Sequence, residues 1–139
     1  MTETYEKQLS ANDLGRTGGH QAGTHIPKGN KDLVTFLPQL DLTKYNPFEW
    51  MVCVDPDGDQ WKMKYIHYNN KLHGEGTRDE IRITHTARFF RRWHARVGDF
   101  FVLSKKPNES LFNISVKKQK EEEGAFTGVI KLRGWKRVF

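Results

Sequence analysis

Apolar and polar residues alternate along much of this chain. In "QWKMKYIHY", residues 60–68, Trp61, Met63 and Tyr65 alternate with Lys62, Lys64 and Ile66, the period of two expected of a strand with one buried face. The apolar run "EWMVCV" precedes it, and "DPDGD" lies between the two, so the stretch predicts a β-hairpin. Short apolar runs predict further strands at 33–37, 80–84, 99–104, 111–118 and near 129–132, with "KPNES" as a turn. Helical spacing is confined to "HTARFFRRWHARV", residues 85–97, and to a shorter segment beginning at Ser10 or Asn12, where a polar cap precedes Leu14. Many short strands with few helical periods predict a mainly β domain, a sandwich or a barrel. The patch "KKQKEEEGAFTG" reads as a solvated loop.

Composition narrows the partner. The 139 residues suffice for one domain with a buried core. Lys and Arg number 23 against 17 Asp and Glu, and the net charge of +6 calls for an anionic partner. Nucleic acid is favoured over a membrane, because no apolar run approaches a spanning length. The start, "MTETYEKQLS", is polar and acidic where an export signal is basic and then apolar, so nothing suggests export and a cytoplasmic protein is the expectation. Cys53, alone in an apolar run, reads as a buried thiol in a reducing compartment.

Several stretches imitate chemistry without completing it. Residues 10–28 hold Gly15, Gly18, Gly19 and Gly23, yet neither a Lys-Ser/Thr phosphate loop nor G-x-G-x-x-G is present. Asp55, Asp57 and Asp59 resemble the start of a calcium loop, but Ile66 stands where the bidentate Glu belongs. A hairpin turn explains them better. His67, Asn69, Asn70 and His73 form no compact ligand framework, and no Glu-x-Lys or Asp-x-Lys follows Pro56–Asp57 at a useful distance. No catalytic residue and no metal ligand is therefore assigned.

The segment "YNNKLHGEGTRDEIRITH", residues 68–85, is more informative. On a strand, Arg78, Glu80, Arg82 and Thr84 share one face and Ile81 and Ile83 the other. Arg can donate two bonds to guanine O6 and N7, Glu can accept from cytosine N4, and a β-ribbon fits the major groove. The same row also fits a solvent-exposed face whose opposite charges pair with one another.

Together, "SANDLGRTGGHQAGTHIP" and "YNNKLHGEGTRDEIRIT" resemble the amino-terminal effector-binding domain of the EcoRII-type restriction endonucleases. That family's pattern runs Ser-Ala-Asn-Asp, Thr-Gly-Gly-His-Gln, and later Tyr-Asn, Thr-Arg-Asn-Glu and Arg-Ile-Thr. The resemblance implies an α+β, mainly β fold: an open, seven-stranded DNA-binding pseudobarrel with short helices, as in the plant B-three factors and the BfiI recognition domain. Two arms would grip the major groove of double-stranded DNA. The amino-terminal arm would offer Arg16, Thr17, Gly18, Gly19, His20, Gln21 and His25, its glycines bringing backbone close to the duplex. The carboxy-terminal arm would offer Asn69, Asn70 and Lys71, with Arg78, Glu80 and Arg82 reading a CC(A/T)GG-like site.

Departures from the pattern matter too. Gly76 and Ile81 stand where EcoRII has lysines, which makes Lys62, Lys64 and Lys71 the candidates for replacement contacts. Asp79 replaces an Asn and puts a negative charge near the duplex. His25 replaces a Tyr. Residues 1–139 are expected to form a single recognition domain, non-catalytic and without a cofactor of its own, within a larger restriction enzyme whose attached nuclease domain would use Mg2+. The rival readings are a stand-alone nuclease and a single-stranded DNA or RNA module that stacks bases on some of its four Trp, nine Phe and four Tyr.

Overall fold

Among the described residues, eight strands follow one another through a single sheet in the order β2-β5-β4-β3-β7-β6-β1-β8. The structure is a computed structural model describing residues 2–15, 23–119 and 134–139. The strands are β1 (Glu3–Gln8), β2 (Thr24–Ile26), β3 (Phe48–Val54), β4 (Gln60–Tyr68), β5 (Glu80–Thr84), β6 (Phe100–Lys105), β7 (Phe112–Lys117) and β8 (Trp135–Val138). Neighbours are antiparallel except β3 and β7, which run parallel with Cys53 opposite Phe112. The two edge strands of this order meet, because Trp135 Nε1 on β8 donates to the His25 carbonyl on β2 at 3.0 Å. The sheet thus curls into a nearly closed barrel, with eight strands rather than the expected seven.

The predicted hairpin is β3–β4, with Met51 opposite Met63 and Cys53 opposite Trp61. Asp55 ties its turn. One carboxylate oxygen accepts from the Asp57 and Asp59 amides at 2.9 and 3.0 Å, and the other from the Trp61 and Trp93 indoles at 2.9 and 3.1 Å. That carboxylate is fully engaged in structure, as the turn reading required. Cys53 is buried, and burial pushes its thiol up to about 12, which leaves it inert as a nucleophile at neutral pH.

Two short helices pack on the barrel. α1 (Lys31–Phe36) occupies most of the 33–37 segment expected to be a strand. A run such as "LVTFL" carries no period that separates strand from helix. Asn30 decides it by capping the Leu33 amide at 3.2 Å, after which Leu33 and Phe36, three apart, both reach the core. The Phe36 ring lies 4.8 Å from Tyr5 and 5.5 Å from Phe112. α2 (Ala87–Arg92) falls in the predicted helical stretch and buries Phe89 and Phe90 against Phe101.

The shorter helix expected from Ser10 or Asn12 is instead a turn, because the Asp13 carboxylate folds back to accept from the Ser10 amide and hydroxyl and pairs with Lys7. β1, β2 and β8 were not foreseen. The strand expected near 129–132, and the "KKQKEEEGAFTG" loop from residue 120 onward, lie outside the described residues.

Candidate nucleic-acid interface

Strand register places the candidate residues side by side. Arg82 of β5 stands opposite His25 of β2 and Ile66 of β4; Glu80 is opposite Tyr68, and Thr84 opposite Lys64. Lys64 in turn faces Trp50 of β3, Ile66 faces Phe48, and Lys62 faces Val52. Cross-strand partners project to the same side of a sheet, so these residues form one strip on the face opposite the core residues Ile81, Ile83, Met63 and Tyr65.

Glu80 organises the strip. Its Oε1 accepts from Arg78 Nε at 2.5 Å and its Oε2 from Arg82 Nη2 at 3.4 Å, while Arg82 Nη1 donates to the Gly23 carbonyl at 3.4 Å. The Arg78 guanidinium also lies over the Tyr68 ring, 3.5 Å from its centre. Burial alone would push the Glu80 carboxyl up, but the bonds from both arginines outweigh it and hold it below the usual glutamate range. The Arg78 side chain is 38% exposed, and its bond to Glu80 uses Nε. Arg82 differs from expectation: it is 4% exposed, and Thr84 is covered as well. β2 pairs with β5, placing His25 opposite Arg82, and the carbonyl of Gly23 just before β2 accepts from Arg82.

A second network sets the entrance to β5. Asp79 pairs with His67 Nε2 at 2.7 Å and with Lys28 Nζ at 2.5 Å, and both contacts hold its carboxyl below the usual aspartate range. The negative charge that replaces the family's Asn is thereby neutralised within the fold. On β2, the His25 imidazole is held below its ordinary value by partial burial and then by the Arg82 charge.

The remaining expected residues divide. Asn69 is a correction, being fully buried. Its Oδ1 accepts from the Asn46 amide at 2.7 Å and its Nδ2 donates to the Lys44 carbonyl at 2.8 Å, so it fastens the 42–46 loop rather than facing a duplex. Asn70 and Lys71 lie on a short 3-10 helix, Asn70–His73; Asn70 donates to the Tyr45 hydroxyl at 2.7 Å and Lys71 is exposed. Lys64 sits 4.1 Å from the centre of the Phe48 ring, and both Lys62 and Lys64 approach Trp50 at 5.7 Å. Arg16, Thr17, Gly18, Gly19, His20 and Gln21 lie outside the described residues. Gly23 makes its close approach to β5 rather than to a duplex: at φ +85° a Cβ there would meet the Ile83 carbonyl oxygen at 2.1 Å.

Sequence reasoning missed Tyr68, Phe48 and Trp50. Each is a large aromatic on the outward phase of a strand, and that misplaced hydrophobicity was the available signal. Among the described residues, no group of three or more His, Cys, Asp or Glu is placed to hold a metal ion, and no helix is long and apolar enough to cross a membrane.

By architecture this is a pseudobarrel. The protein of an Arabidopsis FUS3–DNA complex shares the fold with a TM-score of 0.62 at 20% identity, over 83% of this chain and 96% of that one. The family described as "Restriction endonuclease EcoRII, N-terminal" matches residues 1–130, and the chain belongs to it. The type II restriction enzyme EcoRII of Escherichia coli is 39% identical over 83 residues, which span 58% of this chain and 20% of that enzyme.

Proposed function

We propose that this chain is the sequence-specific, double-stranded-DNA recognition domain of a type II restriction endonuclease, reading a G·C-rich, CC(A/T)GG-like site in the major groove. The observation that carries this reading is the Arg78–Glu80–Arg82 row, joined beside His25 by bonds at 2.5 and 3.4 Å. Arg78 offers a donor pair matched to guanine O6 and N7, and the Glu80 carboxylate can accept from a cytosine N4 donor. Residues 16–21 would add contacts from Arg16, Thr17, His20 and Gln21, while Lys62, Lys64 and Lys71 would meet phosphates. Cleavage, and any Mg2+ it needs, would belong to an attached nuclease domain.

Duplex affinity measured with the CC(A/T)GG site and with single G·C substitutions tests this. Arg78→Ala and Glu80→Ala should each lose about 1–3 kcal/mol of discrimination. Arg82→Ala should lose discrimination and stability together, because the residue is buried. Undiminished discrimination in Arg78→Ala and Glu80→Ala would refute the row as reader. Tighter binding to single strands at matched salt would favour the base-stacking alternative, and metal-dependent cleavage by this chain alone would favour the nuclease.

A further inference from the structure

The Arg78–Glu80–Arg82 row carries one net positive charge, because two arginines share one carboxylate, and Lys28 is matched by Asp79. Lys62 and Lys64 add two cations beside the row. Phosphate contacts supply much of the affinity of duplex binding, and a larger concentration of charge lies elsewhere. Residues 85–98, "HTARFFRRWHARVG", contain four arginines, two histidines and no acidic residue, which accounts for four of the chain's six net positive charges.

Of these arginines only Arg92 is committed, to Asp57 at 2.8 Å. Among the described residues, no ion pair or side-chain hydrogen bond engages Arg88, Arg91 or Arg96, and all three are exposed. Arg91, His94 and Arg96 form the rim of a groove of about 440 Å³ whose apolar floor includes Leu14, Phe90 and Ala95. The turn that carries the rim is fixed from behind. Lys118 Nζ donates to the Trp93 and His94 carbonyls at 3.2 and 2.6 Å and pairs with Asp99 at 3.1 Å, and Asp99 accepts from the Arg96 amide at 2.9 Å. His94 is held in the left-handed region at φ 51°, so the rim is ordered before any ligand arrives.

We infer that this groove is a backbone clamp: it holds phosphodiesters of the same duplex, outside the base pairs read by β5. The inference rests on the proposed DNA reading. Chain continuity supports the placement, because β5 leads through His85 into α2, and Leu14 in the groove floor immediately precedes the 15–25 segment. Charge supports the occupant, since unpaired guanidinium groups match phosphate geometry and an apolar floor accepts the sugar edge.

The experiment compares wild type, Arg91→Gln/Arg96→Gln and the control Lys106→Gln, an exposed cation in the β6–β7 turn. Each is titrated at several salt concentrations with a duplex limited to the site and with one extended by about one helical turn on each side. The double variant should melt like wild type, lose roughly ten-fold in affinity for the long duplex and about two-fold or less for the short one. Its salt slope on the long duplex should fall by about 0.9 for each phosphate contact removed. Discrimination between the site and its G·C substitutions should not change. An unchanged slope on the long duplex, an equal loss on both lengths, or an equal loss in Lys106→Gln would each overturn the clamp. Failure of wild type to discriminate sites would instead count against the DNA-reading proposal, while a slope change confined to the groove variant would still report phosphate contact.

Discussion

Tyr68 holds Arg78 by its face, 3.5 Å from the guanidinium, while Glu80 holds the same arginine by its Nε. One contact sets the plane and the other the rotation about it. If Arg78 reads a base pair as proposed, Tyr68→Leu should therefore weaken discrimination there by about 0.5–2 kcal/mol, whereas Tyr68→Phe should retain it; affinity for matched and substituted duplexes checks both. Glu80 also gives the free protein an acid sensitivity of defined sign. Its folded carboxyl is held below the ordinary 4.5, so the unfolded chain binds more protons just below that pH. The associated stability is present above about pH 4.5 and is lost as pH falls through the folded value. Glu80→Gln should flatten this acid limb in melting curves taken between pH 3 and 6, and an unaltered limb would contradict the double pairing. At this scale the proximity of Glu80 and Arg82 was legible from strand alternation, whereas Arg78 precedes β5 and reaches Glu80 through its own ion pair. The roles of Asn69 and Arg82 were not legible. Asn69 finds its partners in a loop around Asn46, and Arg82 is buried and bonded to the Gly23 carbonyl, contacts that no local pattern encodes.

The β3–β4 hairpin and β5 were readable because their core-facing residues repeat at every second position over most of each strand. β1 was not, since Glu3, Glu6 and Lys7 disguise a strand that is paired on both edges. β2 is three residues long and hides within the glycine-rich stretch. Its docking depends on Gly23. A Cβ at that position costs roughly 1–2 kcal/mol for the left-handed backbone, and it must also displace β2 from the Ile83 carbonyl, 2.1 Å away. Gly74, at φ +70° with open space around it, isolates the first cost. Gly23→Ala should lower the melting temperature clearly more than Gly74→Ala does; equal shifts would remove the close approach as a determinant of the fold.

Closure of the barrel includes a side-chain bond between edge strands, Trp135 Nε1 to the His25 carbonyl. Trp135→Phe keeps a ring to pack near Phe101 but removes the donor. It should cost about 1 kcal/mol and speed amide exchange in Thr24–Ile26 relative to β3 and β4. Unchanged protection of β2 would mean that packing alone seals the seam. The barrel architecture was legible from strand density, whereas the strand count was not, because two of the eight strands, β2 and β8, are only three and four residues long. Strand order also imposes a timetable on biosynthesis. The block β2-β5-β4-β3 draws on residues 24–84 alone, so the half that carries Glu80 and Arg82 can assemble while the ribosome is still translating. β1, made first, must wait for β6 at 100–105 and β8 at 135–138. Until then Tyr5 and Leu9, both buried in the finished fold, remain a sticky leading end. Such distant pairings slow folding, so a slow final phase that reports on Trp135 should follow the early ordering of the hairpin.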